Sequence, residues 1–163
     1  MKLDHAIELV RDAEGKLADE LTALGERHAA ESDVYHTAHV LAARAATQLD
    51  RLEPHARRHS APERPHVEPT APALERVRRF TSDILSGRPE PEPGMLLLHD
   101  LREAYLSAHG AEIAWVTLRQ AAKAARDTEL VAAADEGLEE AERRWKWLRT
   151  KIKDVTPQVL VAG

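Results

Sequence analysis

The sequence predicts an all-α fold of four long helices, arranged as two antiparallel hairpins joined by a long crossover. Three observations carry this. Ala, Leu, Arg and Glu dominate a chain that is 43% hydrophobic and 31% charged, with only three Trp, two Tyr and one Phe, a composition poor in the aromatic side chains that strands favour. Apolar residues recur at alternating spacings of three and four, the mark of one helical face. Eight of the nine prolines fall between residues 54 and 93, so both flanking regions are almost free of helix breakers. At 163 residues the chain suits one domain of about 100 to 200 residues.

Leu3, Ile7, Val10, Glu14, Leu17, Leu21 and Leu24 line one face of a first helix over 3–27. A turn over Gly25 to Ala30 precedes a second helix whose face is Val34, Ala38, Leu41, Ala45 and Leu52, which closes a hairpin over 3–58. The crossover, 59–94, is Pro-rich. Within it a short helix is expected from Thr70 or Pro72 to Ser86-Gly87, with Leu74, Val77, Phe80 or Thr81, and Ile84 or Leu85 on its apolar side, and Pro89 to Pro93 reads as a stiff extended spacer. The second hairpin, 95–155, opens with a helix over about 95–126 carrying Leu98, Leu101, Tyr105, Ala108, Glu112 and Trp115. Asp127 or Thr128 can cap the last helix, whose face is Ala134, Leu138, Ala141, Trp145, Leu148, Ile152 and Val155. Short turns make the members of each hairpin antiparallel neighbours. Two hairpins on one long crossover form a single helical-bundle domain over 1–163, with the connectivity of ferritin-like bundles.

A net charge of -5 gives no broad attraction to phosphate backbones, despite local clusters at Arg57-Arg58 and at Arg76, Arg78 and Arg79, and no nucleic-acid partner is expected. The absence of cysteine removes disulfides, thiolate nucleophiles and thiolate metal ligands. No apolar run reaches the roughly 20 residues that a membrane span requires, and Met1 to Val10 carries acids where a signal peptide would be apolar. The expectation is a soluble, unprocessed cytoplasmic protein. There is no nucleophile elbow and no Gly-rich phosphate loop.

Two helical faces contain a carboxylate, Glu14 in the first helix and Glu112 in the third. An isolated buried charge costs several kcal/mol or takes up a proton, so each needs a metal, a basic partner, a shared proton or an edge position that reaches solvent. Arg44, Gln48 and Arg144 are the partners this register offers. His36 closes an Asp33-Val34-Tyr35-His36 unit of the i, i+3 form, but the Val34, Ala38, Leu41 face turns His36 and His39 away from the core.

The segment Ala122 to Ile152 resembles the C-terminal hairpin of the bacterial YciF-like ferritin-like proteins, on Glu129, Leu130, Ala132, Ala133, Glu136, Leu138, Glu139, Glu140, Glu142, Trp147 and Leu148. His109-Gly110-Ala111-Glu112 resembles the family's Tyr-x-Ala-Glu stretch, and the resemblance implies a ligand role for Glu112. The family's association with stress responses comes with it. A ferritin-like di-metal centre takes one Glu from each of two helices and Glu-x-x-His from each of the others. Glu14 and Glu112 meet the first half. The fourth helix has Glu136, Glu139, Glu140 and Glu142 but no histidine, and the second has Ala42, Ala43, Ala45 and Ala46 where acids belong.

Other pairings read as structural. His99 and Glu103 lie four apart without companion ligands, His55 and His59 read as solvated histidines at a helix end, and His28 suits a helix C-terminus. The order of acids then bases along the fourth helix, Glu136 to Glu142 before Arg143 to Lys151, complements the helix dipole and i, i+4 pairing. Trp147 points away from Trp145, packed on the crossover helix or part of an association surface.

The function expected is that of a non-catalytic, stress-associated bundle with no cofactor, working through self-association, as a dimer or larger homo-oligomer, or through a protein partner. The competing expectation is an iron- or manganese-binding protein with oxidoreductase or iron-handling activity, its ligands drawn from Glu14, Glu112, Glu139, Glu142 and His36. A third is a small-ligand binder in a core cavity beside the alanines of the second helix.

Overall fold

The computed structural model describes residues 2–61 and 92–162. Among them stand four helices: α1 (Leu3–Arg27), α2 (Ser32–Arg58), α3 (Pro93–Ala124) and α4 (Thr128–Leu160). The expected short crossover helix and the spacer up to Pro91 lie outside the described residues, and Pro93, expected to end that extended spacer, instead opens α3 with Glu92 before it as N-cap. Each helix packs on two others, α1 on α2 and α3, and α4 on α3 and α2, so that α1 faces α4 and α2 faces α3 across the diagonals.

All four adjacent pairs are antiparallel, as their side-chain bonds show. Arg27 at the end of α1 reaches Asp100 near the start of α3 (2.8 Å), while Trp115, further along α3, reaches Glu14 in mid-α1. Arg58 at the end of α2 meets Glu129 at the start of α4, and Lys151 late in α4 meets Asp33 early in α2. The end of α2 and the start of α3 therefore lie at opposite ends of the bundle. Those two ends are separated by the length of α2, about 40 Å for 27 residues at 1.5 Å each.

The helix ends follow local chemistry. Asp127 is the N-cap of α4, its side chain accepting from the Leu130 N–H (3.0 Å). The same residue closes α3: Asp127 N–H donates to Ala122 O and Arg126 N–H to Lys123 O, a Schellman motif with Arg126 at φ 57°. The end of α2 repeats it, with Ala61 N–H to Ala56 O, Ser60 N–H to Arg57 O and Ser60 at φ 58°. Pro54 does not end α2, which continues for another turn. α4 runs five residues past the expected 155 and includes Pro157. α3 occupies 93–124 instead of 95–126.

The core faces of α3 and α4 are rotated from the expected ones. In α3 the buried residues include Leu97, Leu101, Ala104, Ala108, Ala111, Trp115, Leu118 and Ala122, leaving Leu98, Tyr105 and Glu112 half-buried at the edge toward α4. In α4 they are Leu130, Ala134, Gly137, Ala141, Arg144 and Leu148, with Leu138, Trp145, Ile152 and Val155 partly buried beside them. Gly137 explains the rotation of α4: a Cβ there would collide with the indole of Trp115, so the missing side chain makes room for the largest residue of the core. Gly25 acts similarly in the first hairpin, since a Cβ there would lie 2.6 Å from the His39 ring.

The apolar interior falls into two clusters. One, around Ile7, Val10, Leu52, Leu118 and Leu130, fills the end where α1 begins. The other, around Leu17, Leu21, Leu41, Leu101 and Leu148, fills the end where α1 finishes. Between Val10 and Leu17 on α1, and between Ala141 and Leu148 on α4, lie Glu14 and Arg144.

Candidate functional site

Glu14 and Arg144 are both fully buried, at 0% exposure, and bind each other across the bundle diagonal. Arg144 Nη1 donates to Oε2 (2.8 Å) and Nη2 to Oε1 (2.5 Å), the bidentate fork that suits guanidinium to carboxylate. Trp115 Nε1–H donates to Oε1 at 2.6 Å. Both carboxylate oxygens are thus engaged by a cation and an indole donor in a site walled by leucine and alanine. Among the described residues Glu14 is the one buried acidic side chain. It takes the Glu–Arg core pair among the alternatives open to it. Of the other two partners offered, Arg44 is exposed and lies 3.5 Å from Glu140, and Gln48 is buried on α2.

Glu112 is a second, more open unit of the same kind. Its Oε1 accepts from Trp145 Nε1–H at 3.3 Å and its Oε2 lies 2.9 Å from His109 Nδ1. The His109 ring stacks on Trp145 with centroids 5.3 Å apart, Tyr105 packs edge-on against His109, and the Arg149 guanidinium lies 5.1 Å from the Trp145 ring centre, a cation–π distance. At 27% side-chain exposure Glu112 occupies the edge position, so an indole takes each seam carboxylate: Trp115 from α3 for Glu14, Trp145 from α4 for Glu112.

The remaining residues considered as ligands stand apart. Glu139 and Glu142 face outward, at 72% and 51% exposure, beside Arg143 and Lys146. His36 is exposed on α2 and packs edge-on to Tyr35. No three metal-ligating side chains converge among the described residues. A guanidinium fixed 2.5 Å from Glu14 puts a permanent positive charge where a cation bound to that carboxylate would have to sit, so this donor set does not fit a di-metal centre.

No family model, curated protein or solved structure matches the chain.

The histidines expected to be solvated are engaged at the bundle ends. His59 Nε2 lies 2.8 Å from Asp127 Oδ2, and Arg58 donates to both oxygens of that carboxylate. Burial pushes the Asp127 carboxyl up, but the Leu130 N–H, His59 and Arg58 outweigh it and hold the group below the usual carboxylate range. His55 is held below the ordinary imidazole range, by burial first and by the neighbouring Arg58 second. His28 caps α1 and lies 2.8 Å from Asp100 Oδ2. A cleft of about 230 Å³ lies between α1 and α3, lined by Glu20, Arg27, His99, Asp100 and Glu103 among others. It is charged and does not adjoin the alanines of α2.

Two residues of the central site escape a reading of apolar spacing. Trp115 is a core residue by pattern, but its role as donor to Glu14 is not encoded locally. Arg144 continues the series Gly137, Ala141, Leu148 at steps of four, three and four, and counting only apolar residues passes over it. No helix of the described residues is long and apolar enough to cross a membrane.

Proposed function

We propose that this chain is a non-catalytic bundle of ferritin-like connectivity that works through association with itself or with a protein partner. In this reading a Glu14–Arg144–Trp115 core stands where a metal-binding relative would hold its ions. The observation that carries it is the bidentate Glu14–Arg144 pair with the Trp115 bond. A carboxylate clamped by a buried guanidinium already holds a positive charge where a metal ion would bind, and at full burial no substrate reaches it as a base. The placement of the α2 and α3 termini at opposite ends of the bundle supports the ferritin-like connectivity. The stress-associated role implied by the resemblance of the Ala122 to Ile152 segment belongs to the same reading.

The test is metal analysis of protein purified without a histidine tag and then offered iron(II) or manganese(II). The reading expects well under one equivalent retained, unchanged in Glu14→Ala and Glu112→Ala. Stoichiometric metal that disappears in those two variants overturns it.

A further inference from the structure

We propose that the outer face of α3 and α4 is a self-complementary surface that takes a second copy of this chain, the two related by a twofold axis lying in the interface and perpendicular to the helices. This rests on the association reading above and names its partner and surface.

Two features of that face point to it. On α3, Leu106, Ile113 and Val116 are 52%, 63% and 38% exposed, so the middle of its outward side carries an apolar patch, flanked by exposed Arg102 and Glu103 on one side and Thr117 and Gln120 on the other. An exposed apolar patch rimmed by polar residues marks an interaction surface. Gly110 lies on the same outward face, and a Cβ built there meets nothing within 4 Å, which leaves a recess beside Ile113. On α4 the exposed residues recur at three and four as Glu139, Glu142, Lys146, Arg149 and Lys153, preceded by the half-buried Asp135, which binds Arg119 of α3. Their signs separate along the helix, with acids in the first half and bases in the second.

The axis follows from these patterns. An in-plane axis parallel to the helices would lay the apolar α3 of one copy on the charged α4 of the other. The perpendicular axis lays α3 on α3 and α4 on α4, each pair antiparallel. Apolar side chains then meet apolar ones, and the acidic half of each α4 meets the basic half of the other: Asp135 opposite Lys153, Glu139 near Lys146 and Glu142 near Arg149 of the second copy. The centres of the two patterns coincide. The α4 signs change near residue 144, and the Trp145–Glu112 bond sets that level beside residue 112 of α3, midway along the stripe from Leu106 to Val116. A layer of 32 residues, about 48 Å long and two helix diameters wide, offers roughly 900 Å², enough for the about 800 Å² per partner that a stable interface buries.

Sedimentation velocity on the full chain across micromolar concentrations is expected to show a monomer–dimer equilibrium. Ile113→Arg should weaken it by about tenfold or more, since a buried apolar anchor is replaced by a charge. Arg149→Glu should weaken it by setting two carboxylates against each other, and Glu142→Arg combined with Arg149→Glu should restore it, a rescue that mere damage to α4 would not allow. Because the chain has no cysteine, Ile113→Cys gives a direct geometric test: mild oxidation should cross-link it as a dimer, whereas Thr47→Cys on α2 should not. Circular dichroism confirms that each variant is folded. A monomer at every concentration, a dimer indifferent to Ile113→Arg, or equal cross-linking through Thr47→Cys overturns the proposal. Metal content of the same samples separates the two readings: a dimer with stoichiometric metal defeats the non-catalytic reading alone, and a metal-free monomer defeats this interface alone.

Discussion

Replacing Glu14 by leucine removes the acceptor of three hydrogen bonds, two from Arg144 at 2.8 and 2.5 Å and one from Trp115 at 2.6 Å. It leaves a guanidinium at 0% exposure with neither counter-charge nor water. Breaking a buried pair by removing one partner costs about 3–5 kcal/mol, because the remaining charge is uncompensated. Against a total stability of about 5–15 kcal/mol for a domain, that is about a fifth or more of what holds the fold. At about 2–4 °C per kcal/mol for a chain near this size, Tm falls by roughly 6–20 °C. Removing both partners behaves differently, since replacing a buried ion pair by apolar residues of similar volume is often neutral or stabilising by about 1–4 kcal/mol. Glu14→Leu with Arg144→Met should therefore recover most of the loss. Urea unfolding followed by circular dichroism for the wild type, both single variants and the double variant completes the cycle. A single-variant loss below about 1 kcal/mol, or a double variant as unstable as the singles, refutes the assignment of a dry, mutually dependent pair.

Gly137→Ala should lose about 1–3 kcal/mol through overpacking against Trp115, although alanine is the better helix former by about 1 kcal/mol; thermal melts check the sign, and a gain in Tm would contradict the close approach. Arg126 is exposed at φ 57°, so Arg126→Gly should raise stability by about 0.5–1 kcal/mol through relief of left-handed strain, measured by urea midpoint. Asp127 has a depressed pKa in the folded chain, so its contribution is present above the unfolded value of about 3.9 and is lost as pH falls through the lower folded value. Asp127→Ala should cost about 0.5–2 kcal/mol at neutral pH and flatten the loss of stability in acid, and an unchanged acid limb in a pH series would rule this out.

The helices were legible because their signals are local. The three-and-four spacing on α1 matches its buried face from Leu3 to Leu24, and Asp127 reads as a cap from its place between two apolar runs. The candidate site was legible only in part. Glu14 announces itself as a carboxylate in an apolar stripe, and Arg144 was among three partners that its register allowed. Glu112 carries the same local signature, yet lies at an edge because α3 presents Ala104 and Ala111 to the core in place of Tyr105 and Glu112. A shift of one position around a helix preserves the spacing and changes which side chains are buried, so spacing by itself does not choose between the two faces.

The amino-acid sequence by itself determined the helical class, the two hairpins and the placement of a long proline-rich connection between them, because propensity, periodicity and helix breakers act over a few residues. The rotation of α3 and α4 about their axes, and with it the fate of both seam carboxylates, was decided only in the tertiary structure. Trp115 needs the space that Gly137 leaves, and there it donates to Glu14, the same carboxylate that Arg144 binds. Those partners are 101 and 130 residues from Glu14 along the chain. Desolvation of a charge is a property of everything packed around it, and no stretch of local sequence contains that surrounding.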